Sequence, residues 1–256
     1  MNQLTFLGTG GARVLVFKQL LASGGIWIEM DGTRLSLDPG PGALVQAVKR
    51  KLDPTQLDGI VLSHRHLDHA ADVNVMIEAM TTGGFNRRGA VYAPEEAWEG
   101  DPVILRYLRG YVRETGVITE GGRYRVGDIT FTAPVRHDHP GEAYGFVFAS
   151  PTARWSYVAD TRYFPELAEH YRAEVVVMNV VLLDKMDIYH LSLPDARRLI
   201  EDMRPKTAIL THFGMTMWQA NPADLAARLS DETGVHVIAA RDGMQFALPP
   251  READPA

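Results

Sequence analysis

The stretch VLSHRHLDHA, residues 61–70, concentrates side chains that bind metals. An apolar run that ends at Leu62 predicts a buried strand. Four polar residues follow within six positions: His64, His66, Asp68 and His69. Imidazole and carboxylate are ligands that zinc, manganese and iron accept, and a tight loop at a strand end can turn alternate residues toward one point. The stretch therefore predicts a metal site rather than a polar surface loop.

The spacing within this stretch also predicts how many ions it serves. His64 and His66 are two residues apart and can face one ion, whereas Asp68 and His69 can face the other side. Two divalent ions about 3.5–4 Å apart can activate a water molecule between them. We therefore expect a site with two metal ions, with zinc favoured and manganese or iron as alternatives.

The HxHxDH pattern resembles the signature of the metallo-β-lactamase superfamily, and the resemblance extends over nearly the whole chain. It implies that later residues at strand ends complete the site. The ligands implied are His137 after a second hairpin, Asp160 as a bridging carboxylate in WSYVADT, and His212 in THFG. It also implies that Asp38, in DPGPG, supports a ligand histidine.

The residues alone leave alternatives open at several of these positions. His139 is two residues from His137 and is the alternative ligand, while the pair could also belong to a capped turn. Taken alone, an aspartate at position 160 would more often be the N-cap of a following helix. Asp38 would serve equally as a turn-capping aspartate.

His190 lies directly before a predicted helix whose start is marked by a Ser192–Asp195 capping box. A helix N-terminus favours negative charge, which suits a phosphate group. The HLS stretch at 190–192 is similar to the motif of the tRNase Z-like phosphodiesterase branch of the superfamily. We therefore expect His190 to be a catalytic residue, and the alternative is a buried hydrogen-bonding histidine without chemistry.

The order of predicted strands and helices indicates the α/β class. The resemblance implies a four-layer αββα sandwich. We expect one domain over residues 1–256, with halves of about 1–135 and 136–248 and a frayed tail at 249–256. Helices are predicted over 70–80 and, as an amphipathic helix, over 102–113. The GTGG run at 8–11 is interpreted as a tight turn rather than a dinucleotide-binding loop, because no clear helix follows it.

Composition narrows the class of function. The chain has 256 residues, 46% of them hydrophobic, and a formal net charge of -6. That charge argues against a broad nucleic-acid surface, which needs clustered Lys and Arg. The absence of cysteine leaves nitrogen and oxygen as ligands and is compatible with a reducing cytoplasm. No apolar run approaches about 18 residues, so no membrane span is expected. Self-association is left open.

Together, the residues and the resemblance imply a dinuclear metal-dependent hydrolase of phosphodiesters. Asp68 would orient or deprotonate the attacking water, and His190 would stabilise the transition state or protonate the leaving oxygen. A basic arm of the tRNase Z family has no room between His137 and Asp160. We therefore expect a small phosphodiester or short nucleotide as substrate, and not long tRNA. The alternatives are an ester or lactone hydrolase and a non-catalytic metal-binding protein.

Overall fold

The computed structural model describes residues 2–251, so most of the predicted tail at 249–256 lies outside the described residues. Over this range the strands form two seven-stranded sheets. Residues of both sheets, including Phe6, Ile28 and Phe131, make up the hydrophobic core between them. Each sheet also has a second hydrophobic core on its outer face, between the sheet and the helices that cover it. This arrangement is the predicted α/β fold, a four-layer αββα sandwich.

The first sheet has the strand order β14-β1-β2-β3-β4-β5-β6. Its strands are β1 (Gln3–Phe6), β2 (Ile26–Met30), β3 (Thr33–Leu37), β4 (Gly59–Val61), β5 (Ala90–Pro94), β6 (Glu114–Ile118) and β14 (Gln245–Ala247). Strands β3 to β6 run parallel to one another. The β2–β3 hairpin turns at Asp31 and Gly32, which both have positive φ, as the Asp-Gly signal predicts.

The second sheet has the strand order β13-β12-β11-β10-β9-β8-β7. Its strands are β7 (Gly122–Val126), β8 (Ile129–Ala133), β9 (Phe146–Ala149), β10 (Arg154–Val158), β11 (Val175–Asn179), β12 (Thr207–Thr211) and β13 (His236–Ala239). Strands β10 to β13 are parallel. The division between sheets falls between β6 and β7, and β14 returns to the first sheet.

The helices cover the outer faces of the sandwich. The α-helices are α1 (Ala12–Lys18), α2 (Ala43–Lys49), α3 (Leu67–Ala70), α4 (Val73–Met80), α5 (Glu95–Trp98), α6 (Glu166–His170), α7 (Leu193–Met203), α8 (Met215–Gln219) and α9 (Pro222–Thr233); Pro54–Gln56 and Arg106–Gly110 are 3-10 helices. In the described part of the chain, no helix is long and apolar enough to cross a membrane.

Three predictions about helices differ from the structure. The helix predicted over 70–80 is divided into α3, which begins earlier at Leu67, and α4, so Asp68 and His69 lie in a helical turn instead of a loop. The predicted amphipathic helix over 102–113 is a 3-10 helix over Arg106–Gly110. A short helix, α1, does follow the GTGG run. Leu15 is the buried residue of α1, so this helix lacks the apolar stripe that marks a longer amphipathic helix.

Candidate metal centre

The polar residues predicted to form the site follow the carboxyl ends of strands in both sheets. Asp38 and His64 follow β3 and β4 in the first sheet, and Asp160 and His212 follow β10 and β12 in the second. Because β3 and β4 are parallel, and β10 and β12 belong to one parallel set, these residues emerge at the same edge of each sheet. The packed sheets bring the two edges together.

Three histidine side chains meet at one point on this edge. His66 Nδ1 lies 3.1 Å from His64 Nε2 and 3.1 Å from His139 Nε2. The other ring nitrogen of His139 donates to the carbonyl oxygen of Tyr189 at 3.0 Å. His64 Nδ1 lies 3.0 Å from Ser63 Oγ. Each ring thus turns one nitrogen toward the shared point, as ligands of a divalent cation do.

A second group consists of Asp68, His69 and His212, whose ligand atoms lie within 4.8 Å of one another. A third group of His64, His69 and Asp160 shares a histidine with each of the other two. The carboxylate of Asp160 lies 3.5 Å from His69 Nε2 and 3.5 Å from His212 Nε2, through different oxygens. Asp160 therefore lies where a bridging carboxylate could contact two cations.

Unpartnered buried atoms test whether these residues fit a cation. Among the described residues, three buried ring nitrogens of this cluster make no hydrogen bond: His69 Nε2, His190 Nδ1 and His212 Nε2. A buried polar atom without a partner costs about 1–3 kcal/mol, so such a concentration needs a ligand. The donors are imidazole nitrogens and carboxylate oxygens, a set that accepts zinc, manganese or iron. The residues present fit a divalent metal centre.

Asp38 holds the ligand loop in place, as the resemblance implied. Its buried carboxylate accepts hydrogen bonds from the Ser63 backbone N–H at 2.6 Å and from Ser63 Oγ at 2.7 Å. It also accepts from His69 Nδ1 at 3.0 Å, which leaves His69 Nε2 free to face the cluster. A carboxylate in this position fixes both the tautomer and the ring orientation of a metal ligand.

Tyr157 and Asn179 connect Asp38 to Asp160 across the interface between the sheets. Tyr157 Oη donates to Asp38 Oδ2 at 3.0 Å, and Asn179 Nδ2 donates to Asp160 Oδ1 at 2.8 Å. Burial, together with Asp38 and Asp160, raises the pKa of Tyr157 well above its usual value, so the hydroxyl keeps its proton. Neither residue was predicted from the sequence, because Tyr157 and Asn179 read as ordinary members of buried strands.

His137, the ligand implied by the resemblance, is not brought into the cluster. Its Nδ1 donates to the backbone carbonyl of Asp160 at 3.1 Å. Its Nε2 accepts the Gly145 N–H at 3.2 Å and lies 2.9 Å from Tyr171 Oη. Both ring nitrogens therefore have protein partners, and burial lowers the pKa of His137 to about 4. The alternative residue, His139, lies with His64 and His66 in the cluster instead.

Substitution of these two histidines should have opposite effects. We expect His139→Ala to lose metal, and His137→Ala to keep it. His137→Ala should instead lower the unfolding free energy by about 2–4 kcal/mol, because the Gly145 N–H and Tyr171 hydroxyl lose a buried partner. Elemental analysis and thermal unfolding of both variants check this. Metal loss in His137→Ala, with full metal loading in His139→Ala, would instead identify His137 as the ligand, as the resemblance implies.

In the second group, nearby carboxylates determine the direction of the pKa shifts of His69 and His212. Burial alone would lower the pKa of His212, but Asp160 and Asp68 outweigh it and raise that pKa to about 9. The pKa of His69 is likewise raised well above its usual value by Asp160, Asp68 and Asp38, against the effect of burial. Burial favours the neutral form of Asp160, yet His212 and His69 hold its pKa well below the usual value. In the absence of a cation, these carboxylates therefore favour the charged form of both imidazoles.

This charge balance predicts a pH dependence. Folded His212 keeps a proton that the unfolded chain releases above about pH 6.5, so its contribution to stability is complete below 6.5 and is lost as pH rises through about 9. Metal-free protein should therefore become less stable over this window. Metal binding must displace this proton and the one on His69, whose pKa is also raised, so apparent affinity should rise by at least about tenfold per pH unit there. Calorimetric titration with zinc across this range, beside His212→Gln, measures it; a flat profile in the wild type would contradict the interpretation.

His190 lies at the edge of the cluster. Its Nδ1 is 3.4 Å from Asp160 Oδ2, and 19% of its side chain is exposed. Burial lowers its pKa, and Asp160 partly opposes this effect. The predicted capping box is present, but Asp195 accepts the Ser192 N–H at 3.0 Å and thereby already caps the helix. The capping box reduces the capacity of the helix N-terminus to bind a phosphate. The expected contact with a phosphate therefore depends mainly on the His190 side chain.

The glycine run at 8–11 contributes to the site through its backbone. A Cβ atom on Gly11 would lie 2.2 Å from the ring of His212, so only glycine allows this approach. The Gly11 N–H also donates to the Phe213 carbonyl at 2.9 Å. The run does not form the predicted tight turn: Gly10 pairs with Phe213 in an isolated β-bridge, and the segment packs on a candidate ligand. The sequence feature that could have indicated this close contact was the glycine content of the run.

Comparisons with known proteins agree with this geometry. Residues 33–213 match the Beta-lactamase superfamily domain. The uncharacterized protein MJ1374 of Methanocaldococcus jannaschii is 32% identical, over 96% of this chain and 95% of its own length. Ribonuclease Z of Kineococcus radiotolerans is 22% identical, over 100% of this chain and 98% of its own.

Solved structures share the fold at low identity. The metallo-β-lactamase fold protein YhfI from Bacillus subtilis has a TM-score of 0.79 and 18% identity, covering 96% of this chain and 98% of that one. A diphosphatase from the PhnP family has a TM-score of 0.71 and 20% identity, covering 98% and 100%. From the domain match, the relatives and the common fold, we conclude that this chain belongs to the β-lactamase superfamily, among its metallo-β-lactamase-fold hydrolases.

Proposed function

We propose that the protein is a dinuclear metal-dependent phosphodiesterase. The observation that carries this proposal is the position of His190, partly exposed and 3.4 Å from the Asp160 carboxylate that links the groups of candidate ligands. A histidine in this position is not needed as a metal ligand, so its side chain is available to contact a substrate at the metal centre. The names of two similar proteins, a Ribonuclease Z and a PhnP-family diphosphatase, support chemistry at phosphorus.

The proposed ligands form two sets joined by Asp160. One ion would be held by His64, His66 and His139, the other by Asp68, His69 and His212, and Asp160 would bridge them. When bound, two such cations lower the pKa of a water molecule and neutralise charge on phosphoryl oxygens. We favour zinc because the ligand set is rich in histidine, with manganese or iron as alternatives.

Two side chains would handle the protons. The pKa of Asp68 is held below its usual value by His69 and His212, which outweigh burial, so its carboxylate is ionised; it would orient the attacking water by accepting a hydrogen bond from it, and the lowered pKa makes it a weak proton acceptor. His190, with a lowered pKa, gives up a proton readily when charged. It would protonate the leaving oxygen or donate a hydrogen bond to the phosphoryl oxygens.

A substrate panel tests the reaction class. Zinc-loaded protein should hydrolyse bis(p-nitrophenyl) phosphate with a higher kcat/KM than it hydrolyses p-nitrophenyl acetate or a lactone. Preference for the acetate or the lactone would instead support an ester or lactone hydrolase, in which His190 has no phosphate to serve. Zinc binding without turnover of any of them would support a non-catalytic metal-binding protein.

Within this class, we propose a small phosphodiester or short nucleotide as substrate, rather than long tRNA. The chain between His139 and Asp160 is used by β9, β10 and their short connection, so it has no extended basic arm. The net charge of -6 also disfavours a surface for a long phosphate backbone. Cleavage of a dinucleotide and a tRNA precursor across a salt series separates the two. A much higher kcat/KM for the precursor, collapsing with salt, would contradict this choice.

A further inference from the structure

A cavity of about 770 Å³ opens directly from the metal centre. Its polar side includes His66, Asp68, His139 and Asp160, together with the proposed acid His190. The volume is within the range of about 300–1,000 Å³ that small-molecule sites occupy. Because the cavity is continuous with the reacting groups, a substrate bound at the metal centre would extend into it.

The remaining walls of this cavity are largely apolar and partly aromatic. Val16 and Phe17 of α1 line it, as do Leu67, Ile188 and Tyr189. Phe17 is 68% exposed and Leu67 is 70% exposed, although large apolar side chains are usually covered. Exposed apolar surface that adjoins a reaction centre indicates a binding wall for an apolar part of the ligand.

Tyr189 is held in a fixed position against this cavity. The guanidinium of Arg162 covers one face of its ring, 4.0 Å from the ring centroid, and Arg162 also pairs with Asp187 at 2.8 Å. The Tyr189 carbonyl accepts the hydrogen bond from His139. The loop that carries the ring is therefore tied to a proposed metal ligand, and Tyr189 as a whole remains 39% exposed.

Arg13 adds a positive charge to the same cavity. It is exposed, lies in the first turn of α1 and lines the cavity beside Phe17. The structure shows no ion pair or hydrogen bond of its guanidinium with a described residue. An unpaired guanidinium next to apolar walls suits a ligand that carries an oxyanion and an apolar group together.

From these walls, we propose that the substrate is a phosphodiester in which at least one ester group is a planar aromatic ring. The ring packs on Phe17 and Tyr189, and an oxyanion of the same molecule pairs with Arg13. This inference rests on the proposed phosphodiesterase function and narrows its substrate class. Aromatic rings pack favourably on one another beyond their area of burial, whereas a compact alkyl ester would leave most of this wall in water.

Binding of product-like phosphomonoesters tests the inference without relying on turnover. Phenyl phosphate, cyclohexyl phosphate and methyl phosphate would be titrated calorimetrically into zinc-loaded protein. We expect phenyl phosphate to bind about 10- to 100-fold more tightly than methyl phosphate and more tightly than cyclohexyl phosphate. Phe17→Ala should weaken phenyl phosphate about 3- to 15-fold and leave methyl phosphate unchanged. Arg13→Gln should weaken all three.

The matched control is Phe85→Ala, because Phe85 is 96% exposed and is not among the residues lining this cavity. It should bind all three ligands like the wild type. Equal affinity for phenyl and methyl phosphate, or equal affinity for phenyl and cyclohexyl phosphate, would overturn the aromatic site while leaving the phosphodiesterase proposal intact. Failure of all three to bind would count against the phosphodiesterase proposal and this inference together.

The competing explanation for the exposed Phe17 on α1 is that a second copy of the chain covers it. Sedimentation of the wild type and of Phe17→Ala distinguishes self-association from substrate binding at this surface. A wild-type dimer that dissociates in Phe17→Ala, with phenyl phosphate affinity unchanged, would overturn the inference in favour of an interface.

Discussion

Asp160→Asn should reduce hydrolysis of bis(p-nitrophenyl) phosphate by about 10³-fold or more and lower the metal content of the protein. Asparagine keeps the shape of the side chain but removes the charge that lies 3.5 Å from both His69 and His212. Loss of a shared anionic ligand removes several kcal/mol of interaction with two cations, and tenfold in rate corresponds to about 1.4 kcal/mol. Steady-state kinetics and elemental analysis of the same preparation measure both effects.

Asp138→Asn is the matched control for this variant. Asp138 lies between His137 and His139, and its side chain is exposed and outside the groups of candidate ligands. It should retain metal and activity. Full activity and full metal content in Asp160→Asn, at the level of the control, would exclude Asp160 as the bridging residue.

His190→Ala should retain both metal ions and the fold but lose about 10²- to 10⁴-fold in turnover, the usual size of a general-acid contribution. The loss should be greater for an alkyl leaving group than for p-nitrophenolate, because a poor alkoxide needs a proton and p-nitrophenolate barely does. Comparing kcat for a methyl and a p-nitrophenyl phosphodiester measures this difference.

His236→Ala is a suitable control, because His236 is exposed at the start of β13, away from the cluster. Equal losses for both leaving groups in His190→Ala would mean that His190 binds the phosphoryl oxygens instead of supplying a proton. A variant as active as His236→Ala would remove His190 from the mechanism altogether.

Features that depend on neighbouring residues could be predicted from the sequence. The Asp31-Gly32 turn and the Ser192–Asp195 capping box both have local causes, and the structure has each of them where the pattern placed it. The HxHxDH stretch was informative for the same reason, since its candidate ligands follow one strand within a few residues.

Features that depend on distant residues could not be predicted in this way. His137 and His139 follow the same strand at similar distances, and what separates them is Tyr171, 34 residues beyond His137, and Tyr189, 50 residues beyond His139. The residues over 102–113 have helical periodicity, but the structure forms a 3-10 helix over Arg106–Gly110 there. Gly11 similarly acquires its role from His212, about two hundred residues later in the chain.

The number of metal ions per chain tests the central claim most directly. Elemental analysis of the purified, zinc-loaded protein should give close to two ions per chain, because the seven proposed ligands, His64, His66, Asp68, His69, His139, Asp160 and His212, are too many for one tetrahedral ion. Asp68→Ala and His212→Ala should each lower that value. A fully loaded protein with a single ion, and the same stoichiometry in both variants, would contradict the dinuclear account.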